Sequence, residues 1–505
     1  MGITSIARLA FCKRQRQLEK HFTAPLDLQE EVRKSLIAKA TDTKYGREHV
    51  FSMTRNYEDF RANIPVNTYE ELKDYIDLMR HGGADILWPG TVKWYAKSSG
   101  TTNDKSKFIP VSHEGLQHIH YAGGTDVVAF YLQNNPKSRL FDGKALILGG
   151  SHMPNYNVEG SLVGDLSAIL IENINPLVNL VRVPDKSTAL ISDFELKRDL
   201  IAQYCINKNV TNLSGVPSWM MSVLVRVMEL SGKKYLQEVW PNLEVFFHGG
   251  IAFTPYRKQY EQLITKPDMH YMETYNASEG FFGIQNDPND SSMLLMLDYG
   301  VYYEFAPMDA IDDNGQLTDA EKVVPLEGVE TGKNYAMIIS TSCGLWRYLI
   351  GDTVKFTSLH PYKFIITGRT KSFINAFGEE LIVDNAEKGL LYACQQTGAE
   401  VSEYTAAPVF MDENARCRHQ WLIEFNKEPA DMATFAKLLD MRLQELNSDY
   451  EAKRHSTMVP LEVIKARKGL FNDWLKSKGK LGGQHKVPRL ANTRKHIDEL
   501  LKLNA

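Results

Sequence analysis

The chain predicts a large α/β unit followed by a smaller α+β unit, and three observations carry that reading. Its 505 residues are about three times the ~150-residue guide value for one domain. Up to about residue 370, short apolar strands alternate with Gly/Ser/Thr/Pro turns and helical patterns, which points to parallel strands with helices packed on the sheet faces. Beyond that point the texture changes to longer strands around one long helix.

Taken in order, strand patterns fall at 91–96 (TVKWYA), 144–150 (KALILGG), 243–250 (LEVFFHGG), 269–275 (MHYMETY) and 334–341 (NYAMIIST). Helical patterns follow Ser112, Val216 and Thr254. In the last stretch, EVSEYTAAPVF (400–410) and CRHQWLIEF (417–425) read as strands. A long helical pattern from Met432, a strand MVPLEVIKA and a short helix near Leu470 to Lys476 complete it. The boundary is placed at Gly368–Lys371, a polar step between apolar strands, giving expected domains 1–367 and 372–505 joined by a 368–371 hinge. Ligands of such sheets sit at the carboxyl ends of strands, so chemistry is sought in the turns that follow them.

Composition excludes several function classes. Lys+Arg (58) nearly balances Asp+Glu (62), for a formal net charge of -4, which argues against a polybasic nucleic-acid binder and against an acidic disordered chain. Five cysteines without paired spacing fit neither a disulfide framework nor a structural zinc site, so a reducing cytoplasm is expected. No run approaches the ~20 apolar residues of a membrane span, and the opening MGITSIARLAFCKRQRQ lacks the apolar core of a signal peptide. A basic excess lies near the end, 13 Lys or Arg against four Asp or Glu between Lys453 and Lys502, and by itself reads as a solvated face. A monomer is expected, because no exposed apolar repeat suggests an interface.

Four segments could carry chemistry. Lys97–Lys107 supplies Ser98, Ser99, Gly100, Thr101 and Thr102, then Lys105 and Lys107, hydroxyls and close backbone N–H groups that suit a polyphosphate but do not form a Walker A loop. Tyr275-Asn276-Ala277-Ser278-Glu279 ends a strand with an aromatic ring four residues before an acid, which could stack on a base and hold magnesium; in isolation it reads as an edge strand and an ordinary turn. Tyr348-Leu349-Ile350-Gly351-Asp352 joins two apolar runs through Gly-Asp, in isolation a hairpin turn, although such an Asp can accept from both hydroxyls of a ribose. Gly368-Arg369-Thr370-Lys371 places a planar donor set at a polar hinge that permits rotation.

The order of these segments resembles the adenylate-forming superfamily and, within it, the auxin-responsive-promoter (Gretchen Hagen) family of acyl-acid-amido synthetases. Similarity continues in Gly249-Gly250 followed by Pro255-Tyr256, and in Gly483–Arg489, so it covers essentially the whole chain. The resemblance implies a large adenylate-forming domain with a smaller mobile C-terminal cap. It also implies ATP-dependent conversion of a carboxylic acid to an acyl-adenylate with release of pyrophosphate, then transfer to an amine, typically of an amino acid; an acyl-CoA ligase with a thiol acceptor is the alternative. By resemblance, Ser98, Ser99, Gly100, Thr101, Thr102 and Lys107 hold phosphates, Tyr275 stacks on adenine beside Gly249, Gly250 and Ser278, and Glu279 holds Mg2+. Asp352 binds the ribose and Arg369 contacts ribose or phosphate, while Lys480 and Lys486 enter the site from the cap. Two departures stand out: Asn103-Asp104 where a glycine is usual after the hydroxyl pair, and Gly378-Glu379-Glu380 where relatives often carry Gly-Glu-Lys. No nucleic acid and no membrane are expected as partners, only a small carboxylic acid and an amino acid.

Overall fold

A computed structural model describes residues 3–99, 106–312, 315–370, 373–411, 416–477 and 487–504. They form two compact units, one of Met1–Lys97 with Phe108–Thr370 and another of Ser98–Lys107 with Lys371–Ala505.

The first unit begins with helices that the strand-centred reading of the sequence did not anticipate. Tyr69–Arg80 forms because Leu72, Ile76 and Met79 recur on one buried face and Glu71 accepts from the Thr68 backbone N–H (2.7 Å) at its start. The helix Tyr57–Asn63 is capped reciprocally, Asn56 Oδ1 accepting from Asp59 N (2.9 Å) and Asp59 Oδ2 from Asn56 N (3.4 Å). These helices are held to the sheet by polar side chains as well as apolar ones. Gln29 donates to the carbonyls of Leu297 and Val301 and accepts from Tyr303 N, all at 2.9 Å, so a buried amide is fully used.

The sheet of this unit has 12 strands among the described residues. Lys144–Ile147, Val210–Gly215, Val245–Gly249 and His270–Ala277 run parallel, as expected, with helices such as Pro217–Ser231 and Thr254–Leu263 between them. Arg182–Val183 adds a parallel edge strand, and the strands after residue 277 pair antiparallel. Asn334–Thr341 pairs on either side with Val301–Pro307 and Tyr348–Leu359, and the latter with Tyr362–Arg369. The expectation of parallel strands therefore fails after residue 277; the links from Thr341 to Tyr348 and from Leu359 to Tyr362 are too short for a parallel crossover, which needs a dozen residues or more.

Two local readings are also corrected. His270–Ala277 is an interior strand, not an edge, flanked by Val245–Gly249 and Gly280–Ile284. Gly351-Asp352 is not a hairpin turn but lies inside the continuous strand Tyr348–Leu359; Gly351 at φ +91 kinks the strand, and the register against Tyr362–Arg369 shifts just beyond it.

In the second unit, Glu400–Val409, Arg418–Lys427 and Glu462–Ala466 form a three-stranded sheet. The long helical pattern divides at Asn447 into Met432–Leu446 and Ser448–Arg454, because the Asn447 side chain accepts from Asp449 N and Tyr450 N and caps a new helix.

The most heavily invested polar contact in the first unit joins Arg347 (2% exposed) to Glu304 (1%) through two 2.9 Å hydrogen bonds. Arg347 also donates to the Ile64 carbonyl (2.7 Å), and Tyr57 Oη donates to Glu304 (3.0 Å). Glu304→Ala leaves the guanidinium buried without its carboxylate and is expected to cost about 3–5 kcal/mol in urea unfolding. An unchanged unfolding midpoint would show that this pair does not hold the helical segment.

Candidate nucleotide site

The residues gathered by the fold meet where Tyr348–Leu359 and Tyr362–Arg369 pair. Asp352 stands opposite Arg369 in register, and Arg369 Nε lies 2.8 Å from Asp352 Oδ1. The second oxygen, Oδ2, accepts from Tyr275 Oη at 2.5 Å. Arg369 Nη2 also reaches the Ile350 carbonyl at 3.5 Å. A carboxylate with about four acceptor directions is thus oriented by two donors and retains capacity for others.

Tyr275 is 6% exposed, its ring packed edge-on against Phe282 (centroids 4.9 Å) and close to Phe364 (6.0 Å). The ring expected to stack on adenine is therefore covered by protein, and its hydroxyl is what reaches the site. Burial, then the neighbouring Asp352, pushes that hydroxyl well above the ordinary tyrosine range, so it remains a donor at neutral pH.

Ser278 and Glu279 form the two-residue turn between His270–Ala277 and Gly280–Ile284, since Ala277 pairs with Gly280. Ser278 is half-buried, while Glu279 is buried and close enough to Tyr275 to act on it electrostatically. No group of three or more His, Cys, Asp or Glu side chains with metal-ligating geometry occurs among the described residues. A magnesium ion fits this donor set as a site of one carboxylate completed by phosphate oxygens and water, which is how that ion is commonly held.

Gly249 ends its strand opposite Thr274, and a Cβ there would stand 2.4 Å from the Thr274 carbonyl oxygen and 2.9 Å from Asn276 Oδ1. Only glycine fits. Gly250 follows at φ +83, a left-handed conformation that ends the strand. Thr274 Oγ1 donates to the His248 carbonyl (3.1 Å) across the same pair of strands.

Ser98 and Lys107 are half-buried residues on Trp94–Ser99 and Ser106–Val111. Their neighbour Ser106 donates to Ser448 Oγ at 3.0 Å within the second unit. Ser99 is placed by its backbone on the first of these strands. Gly100, Thr101, Thr102, Lys480 and Lys486 lie outside the described residues.

His248 was not singled out by the sequence, because a histidine before Gly-Gly in an apolar run reads simply as a strand residue. It is 3% exposed, stacked on Phe253 (centroids 4.1 Å), and its Nδ1 has no hydrogen-bond partner among the described residues. Burial, aided by Arg257, pushes the ring down to about 3, and burial alone pushes that of His120 down to about 4.

Residues 14–269 match the GH3 family N-terminal domain, 294–369 its central domain and 384–495 its C-terminal domain. The chain belongs to the GH3 family. It is 24% identical to the indole-3-acetic acid-amido synthetase GH3.4 of Arabidopsis thaliana over 92% of this chain and 89% of that protein. Its fold resembles that of the GH3.15 acyl acid amido synthetase (TM-score 0.61, 18% identity, 97% of this chain and 95% of the other). It also resembles a 2-hydroxyisobutyryl-CoA ligase in complex with 2-HIB-AMP and CoA (TM-score 0.58, 13% identity, 96% and 93%). No helix among the described residues is long and apolar enough to cross a membrane.

The buried neutral histidines fix a pH dependence. Unfolded, each takes up a proton near its ordinary value of 6.5; folded, each resists until about 3 or 4. Their penalty is absent above pH 6.5 and grows as pH falls from there toward 4. Urea midpoints should therefore decline between pH 7 and pH 4.5, and His248→Phe should flatten that decline; equal slopes for both proteins would exclude His248 as a contributor.

Proposed function

We propose that the chain is an ATP-dependent acyl-acid-amido synthetase. A carboxylate oxygen of the acid attacks the α-phosphorus of ATP and the bond to pyrophosphate breaks, leaving an acyl-adenylate. An amine nitrogen, of an amino acid in this reading, then attacks the acyl carbon and the bond to AMP breaks, giving an amide while the nitrogen sheds its proton. Activation is required because a carboxylate is a poor electrophile with no good leaving group.

The observation that carries the nucleotide half is the Asp352 carboxylate, held by Tyr275 and Arg369 with acceptor capacity to spare. Asp352 accepts from the ribose hydroxyls, and Tyr275 acts as a positioning residue through Asp352 rather than as a stacking platform. Adenine lies by the flat strand end at Gly249 and Gly250, with Ser278 at the neighbouring turn. Arg369 contributes a donor toward ribose or phosphate. Ser98, Ser99, Gly100, Thr101, Thr102 and Lys107 hold the β and γ phosphates, their N–H, hydroxyl and ammonium groups offsetting charge as pyrophosphate departs. Glu279 is the carboxylate that holds Mg2+, which when bound neutralises phosphate charge. Lys480 and Lys486 supply further positive charge from the C-terminal domain, whose rotation beyond Thr370 would separate the two half-reactions. The match to acid-amido synthetases along nearly their whole length favours an amine over a thiol acceptor.

Incubating the protein with ATP, a panel of aryl and alkyl acids and either mixed amino acids or CoA separates the acceptors by product mass. Amide products support the reading; thioester products alone, or no pyrophosphate release with any acid, overturn it. Asp352→Ala is expected to raise KM for ATP in pyrophosphate exchange by ~10–100-fold, the size of one or two charge-assisted hydrogen bonds. Tyr275→Phe should show a smaller loss of the same kind, since it leaves the carboxylate present but less firmly aimed.

A further inference from the structure

The strand that carries Tyr275 holds a second carboxyl group, Glu273, to which the steps above give no part. Glu273 stands opposite His248 across the parallel pair and Thr274 opposite Gly249, so Glu273 lies one pair short of the glycine turn that ends the neighbouring strand. Side chains alternate along a strand, which puts Tyr271, Glu273 and Tyr275 on one face with Phe246 and His248 beside them. The rings agree with that placement. Phe246, His248 and Tyr271 all meet Phe253, at centroid distances of 6.0, 4.1 and 5.1 Å. Along this face Glu273 therefore follows the aromatic cover and precedes Tyr275, whose hydroxyl holds Asp352. All of these residues belong to the first unit.

The Glu273 side chain is half-buried and has no hydrogen-bond or ion-pair partner among the described residues. Its contacts with Gln285 are made by the backbone, Glu273 N donating to Gln285 Oε1 (3.0 Å) and Gln285 N to the Glu273 carbonyl (2.9 Å). Two more polar atoms on the same face lack partners among the described residues, His248 Nδ1 and Tyr271 Oη. A carboxylate taken out of water is ordinarily paired or hydrogen-bonded, so one left unpaired at a strand end marks a functional position. Burial raises the Glu273 carboxyl above its ordinary value of 4.5. The neighbouring His248, held neutral, adds no positive charge to oppose that rise. From the covering helix Thr254–Leu263, Arg257 lies over the Tyr271 ring (5.5 Å) and Glu261 acts on the same tyrosine; the strand on the other side, Gly280–Ile284, brings no titratable residue.

The amide-forming step needs such a group. At neutral pH an amino acid carries its nitrogen as an ammonium, which has no lone pair with which to attack an acyl carbon, and none of the residues assigned above takes a proton from it. An unpaired carboxylate attracts that cation and can accept its proton.

On the acyl-acid-amido synthetase reading, we propose that Glu273 is the catalytic base for the acceptor: its carboxylate binds the ammonium and takes one proton from it. The freed lone pair attacks the acyl carbon and the bond from that carbon to the AMP oxygen breaks. The second N–H proton leaves with the departing phosphate, and Glu273 returns its own proton to water.

Glu273→Gln keeps the shape of the side chain and cannot take a proton. With an acid that supports pyrophosphate exchange, this variant should form amides from mixed amino acids ~100-fold more slowly than the wild type. Hydroxylamine, uncharged at pH 7, should still be acylated, and pyrophosphate exchange should persist. The wild-type amide rate should fall as pH drops toward the Glu273 value, a limb that Glu273→Gln should lack, and Glu273→Asp should recover part of the rate. Because the carboxylate has no partner among the described residues to leave behind, Glu273→Gln should melt at or above the wild-type temperature, which separates lost proton transfer from lost folding. Amide formation at the wild-type rate in Glu273→Gln overturns the base, as does an equal loss of amide and hydroxamate. Absence of pyrophosphate exchange in the wild type with every acid tried overturns the amido-synthetase reading itself, and the base with it.

Discussion

The buried pair of Arg347 and Glu304 is the contact on which the geometry of the first unit turns. Arg347 holds a left-handed backbone, φ +40, a conformation that a residue with a side chain keeps only when its surroundings compel it. Here they do: its guanidinium spans Glu304 and the carbonyls of Ile64 and Arg61, and its own N–H donates to Ser340 Oγ (2.8 Å). Asn67, bridged to Tyr348, closes the same junction, with Asn67 N donating to the Arg347 carbonyl and Leu349 N to the Asn67 carbonyl. The helical segment is thereby riveted to the start of the strand that carries Gly351 and Asp352. Replacing such a pair wholesale by apolar residues often costs little, whereas removing one partner costs a great deal. Arg347 sits just ahead of the strand that carries Asp352, where a register slip of one residue would turn Asp352 to the opposite face.

That register explains how a single carboxylate can serve as a binding group. Tyr275 comes from a strand of the parallel half of the sheet and Arg369 from the antiparallel half, and they meet on opposite oxygens of Asp352. The burial that hides the Tyr275 ring also keeps its proton in place, so the donor persists across the neutral range. Each partner takes part of the carboxylate's acceptor capacity and fixes its plane. The remaining directions are those a ribose diol would meet.

Much of this arrangement was legible in the sequence, and the rest was not for identifiable reasons. Strand ends were readable wherever an apolar run met glycine or a hydroxyl cluster, as at Gly249-Gly250 and Tyr275–Glu279, because the change in residue type is local. The fate of Gly351-Asp352 was not, since a turn and a glycine kink within one strand have the same local pattern and differ only in what pairs on either side. The reach of Tyr275 to Asp352, 77 residues apart, and of Arg347 to Glu304, 43 apart, leaves no periodic trace. Nor does a tyrosine's place in a motif say which part of it faces a ligand; the packing of Phe282 and Phe364 decides that the hydroxyl does. The N-terminal helices went unread because polar anchors such as Gln29 and Asn67 share their attachment with the apolar stripe, which weakens the pattern by which an amphipathic helix is recognised.

The end of the first unit bears on the two-step chemistry proposed for the chain. Arg369 is tied to Asp352 and to the Ile350 carbonyl, Thr370 N donates to the Gly351 carbonyl (2.8 Å), and the hydroxyls of Thr353 and Thr367 meet at 3.0 Å. Hydrogen bonding therefore runs unbroken to Thr370, the last residue of that unit. In the reaction proposed, Asp352 lies on the side of the chain that this hydrogen bonding holds, and it would not shift if the C-terminal domain turned. Such a division suits a reaction whose two halves share one nucleotide. In the proposed reaction the AMP moiety would stay bound while the leaving group changes from pyrophosphate to AMP itself, which would suit a division with the AMP-holding groups Asp352 and Arg369 in the first unit and the pyrophosphate-holding Ser98–Lys107 in the second.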